Sequence, residues 1–296
     1  MKKNASLFTG AAVALVTPFD DRGHIDVPCL SALVEKQIAG GTTAIISCGT
    51  TGEPATMTLE ERLTVIRETV KVVNGRVPVI CGTGTNNTAA VIENEHRMRD
   101  LGCAAQLVVT PYYNKATQEG LYRHFSTIAE QTELPMILYN VPSRTNVDLA
   151  PDTLHRLSQN EKIIALKESS YNLPDVMQKI ALCGDAIDFY CGNDDLVFPM
   201  MTLGAKGVIS VVSNLYPEAM AVLANACLDG RFGEARALQF RLLPLVKALF
   251  HEVSPIPVKY AMEQAGLCKG TLRLPLCEAG EPTRQLVRSA MDEWEA

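Results

Sequence analysis

With 296 residues, of which 47% are hydrophobic, 20% charged and 6% aromatic, the chain suits one large domain or two modest ones with a substantial core. Its 27 basic and 33 acidic residues give a net charge of −6, which argues against a general nucleic-acid binder, since that function needs a concentrated basic face. No apolar run approaches the roughly 20 residues of a membrane span, and the opening Met1-Lys2-Lys3-Asn4 leads into no apolar stretch of signal-peptide length. The nine cysteines are irregularly spaced with no Cys-x-x-Cys, so they read as reduced, mostly buried thiols of a cytoplasmic protein. His24, His96, His124, His155 and His251 are scattered without metal-ligand spacing, so no metal site is expected.

In chain order, short β-branched runs alternate with amphipathic stretches. A strand over residues 11–16 precedes a helix over 28–39; strands over 43–48 and 77–82 precede helices over 59–73 and 88–101. Strands over 105–110 and 135–140 lead into helices over 118–131 and 151–157. Those over 162–167, 187–191 and 207–212 lead into helices over 173–182, 194–203 and 217–228. Thr58 three residues before Glu61, and Asn172-Leu173-Pro174, are helix-start signals. The strand runs are apolar almost throughout, as strands buried on both faces of a parallel sheet are. Eight βα units within residues 1–230 match the arithmetic of a (β/α)8 TIM barrel. Residues 231–296 are strand-poor and read as a C-terminal helical extension, with helices over 231–250, 257–265 and 281–293 packed on the barrel. A doubly wound open sheet is the alternative, but Gly82-Thr83-Gly84-Thr85-Asn86-Asn87 lacks the third glycine of a dinucleotide-binding loop.

A barrel of this kind carries its chemistry at the C-terminal ends of the strands. Lys167 ends the run Ile163-Ile164-Ala165-Leu166-Lys167, where desolvation favours a neutral, nucleophilic amine able to capture a ketone as a Schiff base. The strand alone leaves equal room for a structural ion pair with Glu168 or another carboxylate. Gly49-Thr50-Thr51-Gly52-Glu53 is a glycine-bounded turn whose amides and hydroxyls suit a carboxylate, or simply an ordinary capped loop. Tyr139 and the Tyr112-Tyr113 pair are phenols at strand ends, fit for proton transfer or for packing. Arg144, in the loop after Tyr139, can grip a carboxylate or stand as a solvated charge. Together they describe carbon–carbon bond chemistry on an α-keto acid.

These motifs, with Pro111-Tyr112-Tyr113-Asn114, Tyr139-Asn140-Val141-Pro142-Ser143-Arg144-Thr145 and Ile164-Ala165-Leu166-Lys167-Glu168, closely resemble the dihydrodipicolinate synthase family of pyruvate-dependent class I aldolases, over essentially the whole chain. The paired threonines and Arg144 favour that family over its sister, N-acetylneuraminate lyase. The resemblance implies condensation of pyruvate with L-aspartate-4-semialdehyde to 4-hydroxy-tetrahydrodipicolinate, on the diaminopimelate route to lysine. Lys167 would then form the Schiff base, Thr50 and Thr51 hold the pyruvate carboxylate, and Tyr139 relay protons. Tyr113 would enter from a neighbouring subunit of a tight dimer, in a homo-oligomer that is commonly a dimer of dimers. Arg144 would orient the semialdehyde carboxylate, Gly192 and Ile209 would line the pyruvate site, and neither metal nor organic cofactor is implied.

The sequence departs from the family pattern twice. Asn193 stands where many relatives have aspartate, so no role resting on that carboxylate carries over. At the positions that hold inhibitory lysine in feedback-regulated members the chain has Leu59, Arg62, Asn86 and Ala90, so only Asn86 and Tyr112 match. Weak or absent inhibition by lysine is expected. A sugar-acid aldolase, a non-catalytic keto-acid-binding barrel and a phosphate-binding isomerase are the competing readings; the last lacks a glycine-rich run after strands seven and eight.

Overall fold

The computed structural model describes residues 5–296; residues 1–4, read above for a leader, lie outside them. Eight strands, β1 (Gly10–Ala14), β2 (Ala44–Ser47), β3 (Val79–Gly82), β4 (Ala105–Val109), β5 (Met136–Asn140), β6 (Ile163–Glu168), β7 (Asp188–Cys191) and β8 (Gly207–Ser210), pair in parallel and close into a barrel. Closure comes from Gly10–Val13 of β1 in register with Gly207–Ser210 of β8. The expected (β/α)8 barrel is therefore present, with seven of the strands a residue or two shorter than their apolar runs and β6 of equal length but shifted by one residue. Cys48, for example, leaves β2 with φ of 57°, outside strand geometry.

The outer layer comprises α1 (Val27–Ala39), α2 (Leu59–Val73), α3 (Thr88–Met98), α4 (Gln118–Gln131), a single turn α5 (Pro142–Thr145), α6 (Pro151–Leu157), α7 (Leu173–Cys183), α8 (Val197–Thr202) and α9 (Pro217–Leu228). Thr58 and Glu61 form the capping box at the start of α2, and Asn172 caps α7. The stretch expected as one helix over 194–203 is a 3-10 turn, Asp194–Leu196, followed by α8. Sequence periodicity missed α5 because one turn is too short to show a period; Pro142 starts it and Asn146, at φ of 55°, ends it.

Alternation along each strand explains the apolar runs. Ala12, Ala44, Ile46, Ile80, Leu107, Ile137, Ala165 and Ile209 form one buried cluster, the barrel interior, whereas their neighbours Val13, Ile45, Cys81, Val108, Leu138 and Leu166 pack against the helices. The small alanines leave room for Tyr190, which stacks on Phe8 at 4.0 Å and donates its hydroxyl to the Phe8 carbonyl at 2.9 Å. Phe8 precedes β1, so this pair plugs the barrel at its N-terminal end. No helix among the described residues is long and apolar enough to cross a membrane.

Beyond α9, the helices α10 (Phe232–Leu249), α11 (Ile256–Gln264) and α12 (Glu281–Glu295) pack on one another and on the barrel. The segment between α11 and α12 is fastened by Arg273. Its guanidinium forks onto Glu61 of α2 at 2.5 and 3.0 Å, donates to the carbonyls of Gly23 and Thr56, and covers the Phe19 ring.

Arg273, with the cap amide of Thr58, holds the Glu61 carboxyl down at about 2, against an ordinary 4.5. A carboxylate held down in the fold stabilises it above the ordinary value and loses that contribution as pH falls toward the depressed one. Glu61→Gln should therefore be less stable than wild type at neutral pH, with the gap closing between pH 4.5 and about 2, as read from denaturant melts across that range.

Candidate active site

Strand alternation decides the fate of the lysine at the end of β6. Lys167 shares the inward parity of Ala165, and its neighbour Glu168 turns outward. Glu168 is fully buried and fully committed: it accepts from Asn140 Nδ2 at 2.9 and 3.1 Å, from the Ser170 amide at 2.8 Å, and from Lys179 Nζ of α7 at 3.0 Å. Lys179, equally buried, also meets Asp175 at 2.7 Å and Asp148 at 3.3 Å. Burial opposes the Lys179 charge, but the surrounding carboxylates, Glu168 foremost, overcome it and hold the amine above its ordinary value. The ion pair that the sequence left open for Lys167 is thus made by Lys179. Among the described residues, no carboxylate lies within ion-pair distance of Lys167.

Lys167 is 5% exposed and its Nζ sits 4.3 Å from the centre of the Tyr139 ring. Tyr139 is its register partner on β5, which fixes the two side by side. Both open into a cavity of about 380 Å³ lined also by Thr50, Thr51, Arg144 and Gly192. Six of the eight site residues expected from the sequence are therefore together.

Thr50–Gly52 form a single 3-10 turn closed by the Gly52 amide on the Gly49 carbonyl. The first amides of such a turn have no acceptor within it, so those of Thr50 and Thr51 remain available to an anion. Glu53 ends the turn in the left-handed region, at φ of 56°. Arg144 stands on α5 with one Nη2 donating to the Ser254 carbonyl at 2.8 Å, which leaves its other donors for a ligand.

Gly192 has no alternative at its position. A methyl there would lie 2.0 Å from Ser169 Oγ and 3.0 Å from Lys167 Cε. The absence of a side chain just past the end of β7 is what gives the Lys167 chain its path.

Tyr113 and Ile209 are not brought to this cavity. Tyr113 is 90% exposed on the loop after β4, at φ of 71°, a conformation that a bulky residue holds only when its surroundings impose it. Ile209 lies in the barrel interior, and Val211, two residues further up the same strand run, stands at the cavity wall. Asn193 also lines the wall and donates to the Ser170 carbonyl at 3.3 Å. The next residue, Asp194, is buried and takes the amides of Val211 and Val212, both at 2.9 Å. Burial pushes its carboxyl up, against the pull of those amides.

Sequence reasoning missed two hydroxyls. Ser169 Oγ and Ser254 Oγ are buried, line the cavity and have no partner among the described residues, so each is available to a bound polar molecule. Ser169 was readable as the residue two beyond Lys167; Ser254 was not, because it comes from the C-terminal extension.

A second cavity of about 500 Å³ adjoins the first and shares Thr50, Tyr139, Val141, Arg144 and Ser254 with it. Its far side holds Arg62, Thr85 and Tyr112. The Arg62 guanidinium is tied there to the Gly82 carbonyl at 2.7 Å, and Asn86 is crosslinked to Asn114 by bonds of 3.1 and 2.9 Å.

Residues 7–293 match the model of the dihydrodipicolinate synthetase family. The chain belongs to that family. Curated relatives named 4-hydroxy-tetrahydrodipicolinate synthase include one from Geobacter metallireducens, 46% identical over 98% of this chain and 99% of that protein. Another, from Geotalea daltonii, is 48% identical over 97% of this chain and 99% of its own length. Among solved structures, the chloride-inhibited dihydrodipicolinate synthase of Acinetobacter baumannii complexed with pyruvate superposes with a TM-score of 0.95 at 42% identity, covering 97% of this chain and 99% of that one. Family membership and the lysine-bearing barrel mouth agree.

Gly192→Ala should displace Lys167 while leaving the barrel folded. Reductive trapping of a keto acid on Lys167 should then fall at least about a hundredfold, since misplacing a reacting group by an ångström carries losses of that order. Circular dichroism and a thermal melt, run alongside, separate this from unfolding.

Proposed function

We propose that this chain is a 4-hydroxy-tetrahydrodipicolinate synthase that condenses pyruvate with L-aspartate-4-semialdehyde. The observation that carries the reading is Lys167: buried, unpaired by any described carboxylate, and set beside Tyr139 in a cavity walled by an amide-bearing turn and an arginine.

In this reading the Lys167 amine attacks C2 of pyruvate, and Tyr139 passes the protons that turn the carbinolamine into an imine with loss of one water. The Thr50 and Thr51 amides and hydroxyls hold the pyruvate carboxylate, with the Ser169 hydroxyl and the small Gly192 beside the bound carbon chain. Loss of a C3 proton gives the enamine, whose C3 attacks the aldehyde of the second substrate. Arg144 holds that substrate's carboxylate through the donors that Ser254 leaves free. The adduct's own amino group then attacks C2, closes the ring and releases Lys167. The water lost in imine formation balances the overall condensation.

The protruding Tyr113 suits a homo-oligomer in which it enters the site of a second subunit and completes the proton path through Thr50 and Tyr139. Residues 231–296 then serve as an annex to the catalytic barrel of residues 1–230, supplying Ser254 to the site.

Borohydride reduction with pyruvate, followed by peptide mass mapping, should place a reduced pyruvyl group on Lys167 and on no other lysine. An adduct elsewhere, or none, would remove the central step. A coupled assay offering aspartate semialdehyde against sialic acid should show turnover with the former.

Feedback by lysine should be weak or absent. The second cavity presents the Arg62 cation. Outside its lining, Ala90 stands on α3 where feedback-regulated members carry a carboxylate, and Asn86 is already engaged by Asn114. Glu53 is the carboxylate in that lining and is already paired with Lys259, so an ammonium enclosed there would lack a charge of its own to pair with, at a cost of several kcal/mol in order of magnitude. Titrating L-lysine against initial rate should leave the rate unchanged through the millimolar range; sub-millimolar inhibition would contradict this.

A further inference from the structure

The Thr50–Thr51 turn ends on a buried charge whose partner comes from the C-terminal extension. Glu53 Oε1 meets Lys259 Nζ of α11 at 2.5 Å, with both side chains essentially inaccessible. Lys259 also donates to the Thr271 carbonyl at 2.8 Å and lies over the Phe19 ring at 4.2 Å. The Arg273 amide reaches Glu53 Oε2 at 3.4 Å, and the other side of the turn is tied to the loop after β1 by Thr17 Oγ1, which donates to the Gly52 carbonyl at 2.7 Å. Glu53 holds a left-handed conformation that glycine or asparagine would adopt more readily. A glutamate there is explained by what its carboxylate reaches.

We infer that Lys259 is a positioning residue for pyruvate, acting through Glu53 to hold the Thr50–Thr51 turn in its substrate-binding geometry. The extension is thereby part of the catalytic apparatus as well as a cover for the barrel. Burial works against the Lys259 charge and lowers its proton affinity, so an amine kept there depends on the Glu53 carboxylate opposite. Such a pair adds little net stability over a well-packed apolar pair, but it fixes the direction of both side chains. Here that direction sets the last residue of the turn, two residues from Thr51 and three from Thr50. The inference rests on the assignment of that turn to the pyruvate carboxylate.

The test compares wild type, Lys259→Met and the double variant Glu53→Gln/Lys259→Met. The double variant removes both buried ions, so it should fold even where the single variant, with an unpaired Glu53, does not. In each folded variant the KM for pyruvate should rise about tenfold or more, as loss of one charge-assisted positioning contact does. The KM for aspartate semialdehyde, which Arg144 serves, should change less than twofold. A merely structural role predicts a lower melting temperature with an unchanged pyruvate KM. A pyruvate KM within twofold of wild type in the double variant therefore overturns the inference. Borohydride trapping on wild type, run in parallel, keeps the two readings apart. No pyruvyl adduct on wild-type Lys167 would sink the proposed function itself, whereas an adduct with unchanged KM in the variants would sink only the role of Lys259.

Discussion

The Glu168–Lys179 ion pair is the contact on which the site depends. Two lysines approach the end of β6, and a carboxylate next in sequence to Lys167 would neutralise the reactive amine if the strand turned by one residue. Strand periodicity places Glu168 on the outer face, and there Lys179, Asn140 and the Ser170 amide saturate it. Removing Lys179 would leave a buried carboxylate unpaired, which costs several kcal/mol, so the pairing is enforced strongly. Lys167, on the inner face, is thereby kept apart from Glu168, whose charge is taken up by a second lysine.

The same logic explains why a net charge of −6 is compatible with two anionic substrates. Many of the acidic groups near the barrel mouth are engaged: Glu168 by Lys179, Glu53 by Lys259, Glu61 by Arg273, and Asp194 by the amides of Val211 and Val212. Lys167, Arg144 and a turn of amides line the cavity, and Glu252, the carboxylate in its lining, is engaged by the Gly280 amide and the Thr283 hydroxyl. Field at the site is governed by which charges are left unspent locally, and total charge says little about it.

The fold was legible because the strands are buried on both faces and so carry a largely apolar signature, as in Ile163-Ile164-Ala165-Leu166 and Met136-Ile137-Leu138. Lys167, Tyr139 and the Thr50–Thr51 turn were legible because they interrupt such runs at their ends. Ser254 and Lys259 were not, since nothing in a helical pattern some ninety residues after Lys167 reveals which barrel loop it touches. Ile209 lies in the barrel interior, and Val211, just past the end of β8 at Ser210, lines the cavity, a one-layer distinction that the apolar run over residues 207–212 does not reveal. The one-turn helix carrying Arg144 escaped because helical periodicity needs several turns to show.

Backbone strain follows the same division between what is local and what is not. Cys48, Glu53, Tyr113, Lys115 and Asn146 all have positive φ, and all lie in loops after β2, β4 or β5 on the mouth side of the barrel. A left-handed conformation costs a residue of this kind about 1–2 kcal/mol and persists only where neighbours over-determine it. For Glu53 those neighbours are Lys259 and Arg273, both from the extension. For Arg144, just before Asn146, the anchor is the Ser254 carbonyl, again from the extension. The eight strands fix where Lys167 and Tyr139 stand, but two of the loops that face them take their shape from residues that come after the barrel is complete. A barrel shorn of those helices would retain its reactive lysine and lose the geometry that presents a carboxylate to it.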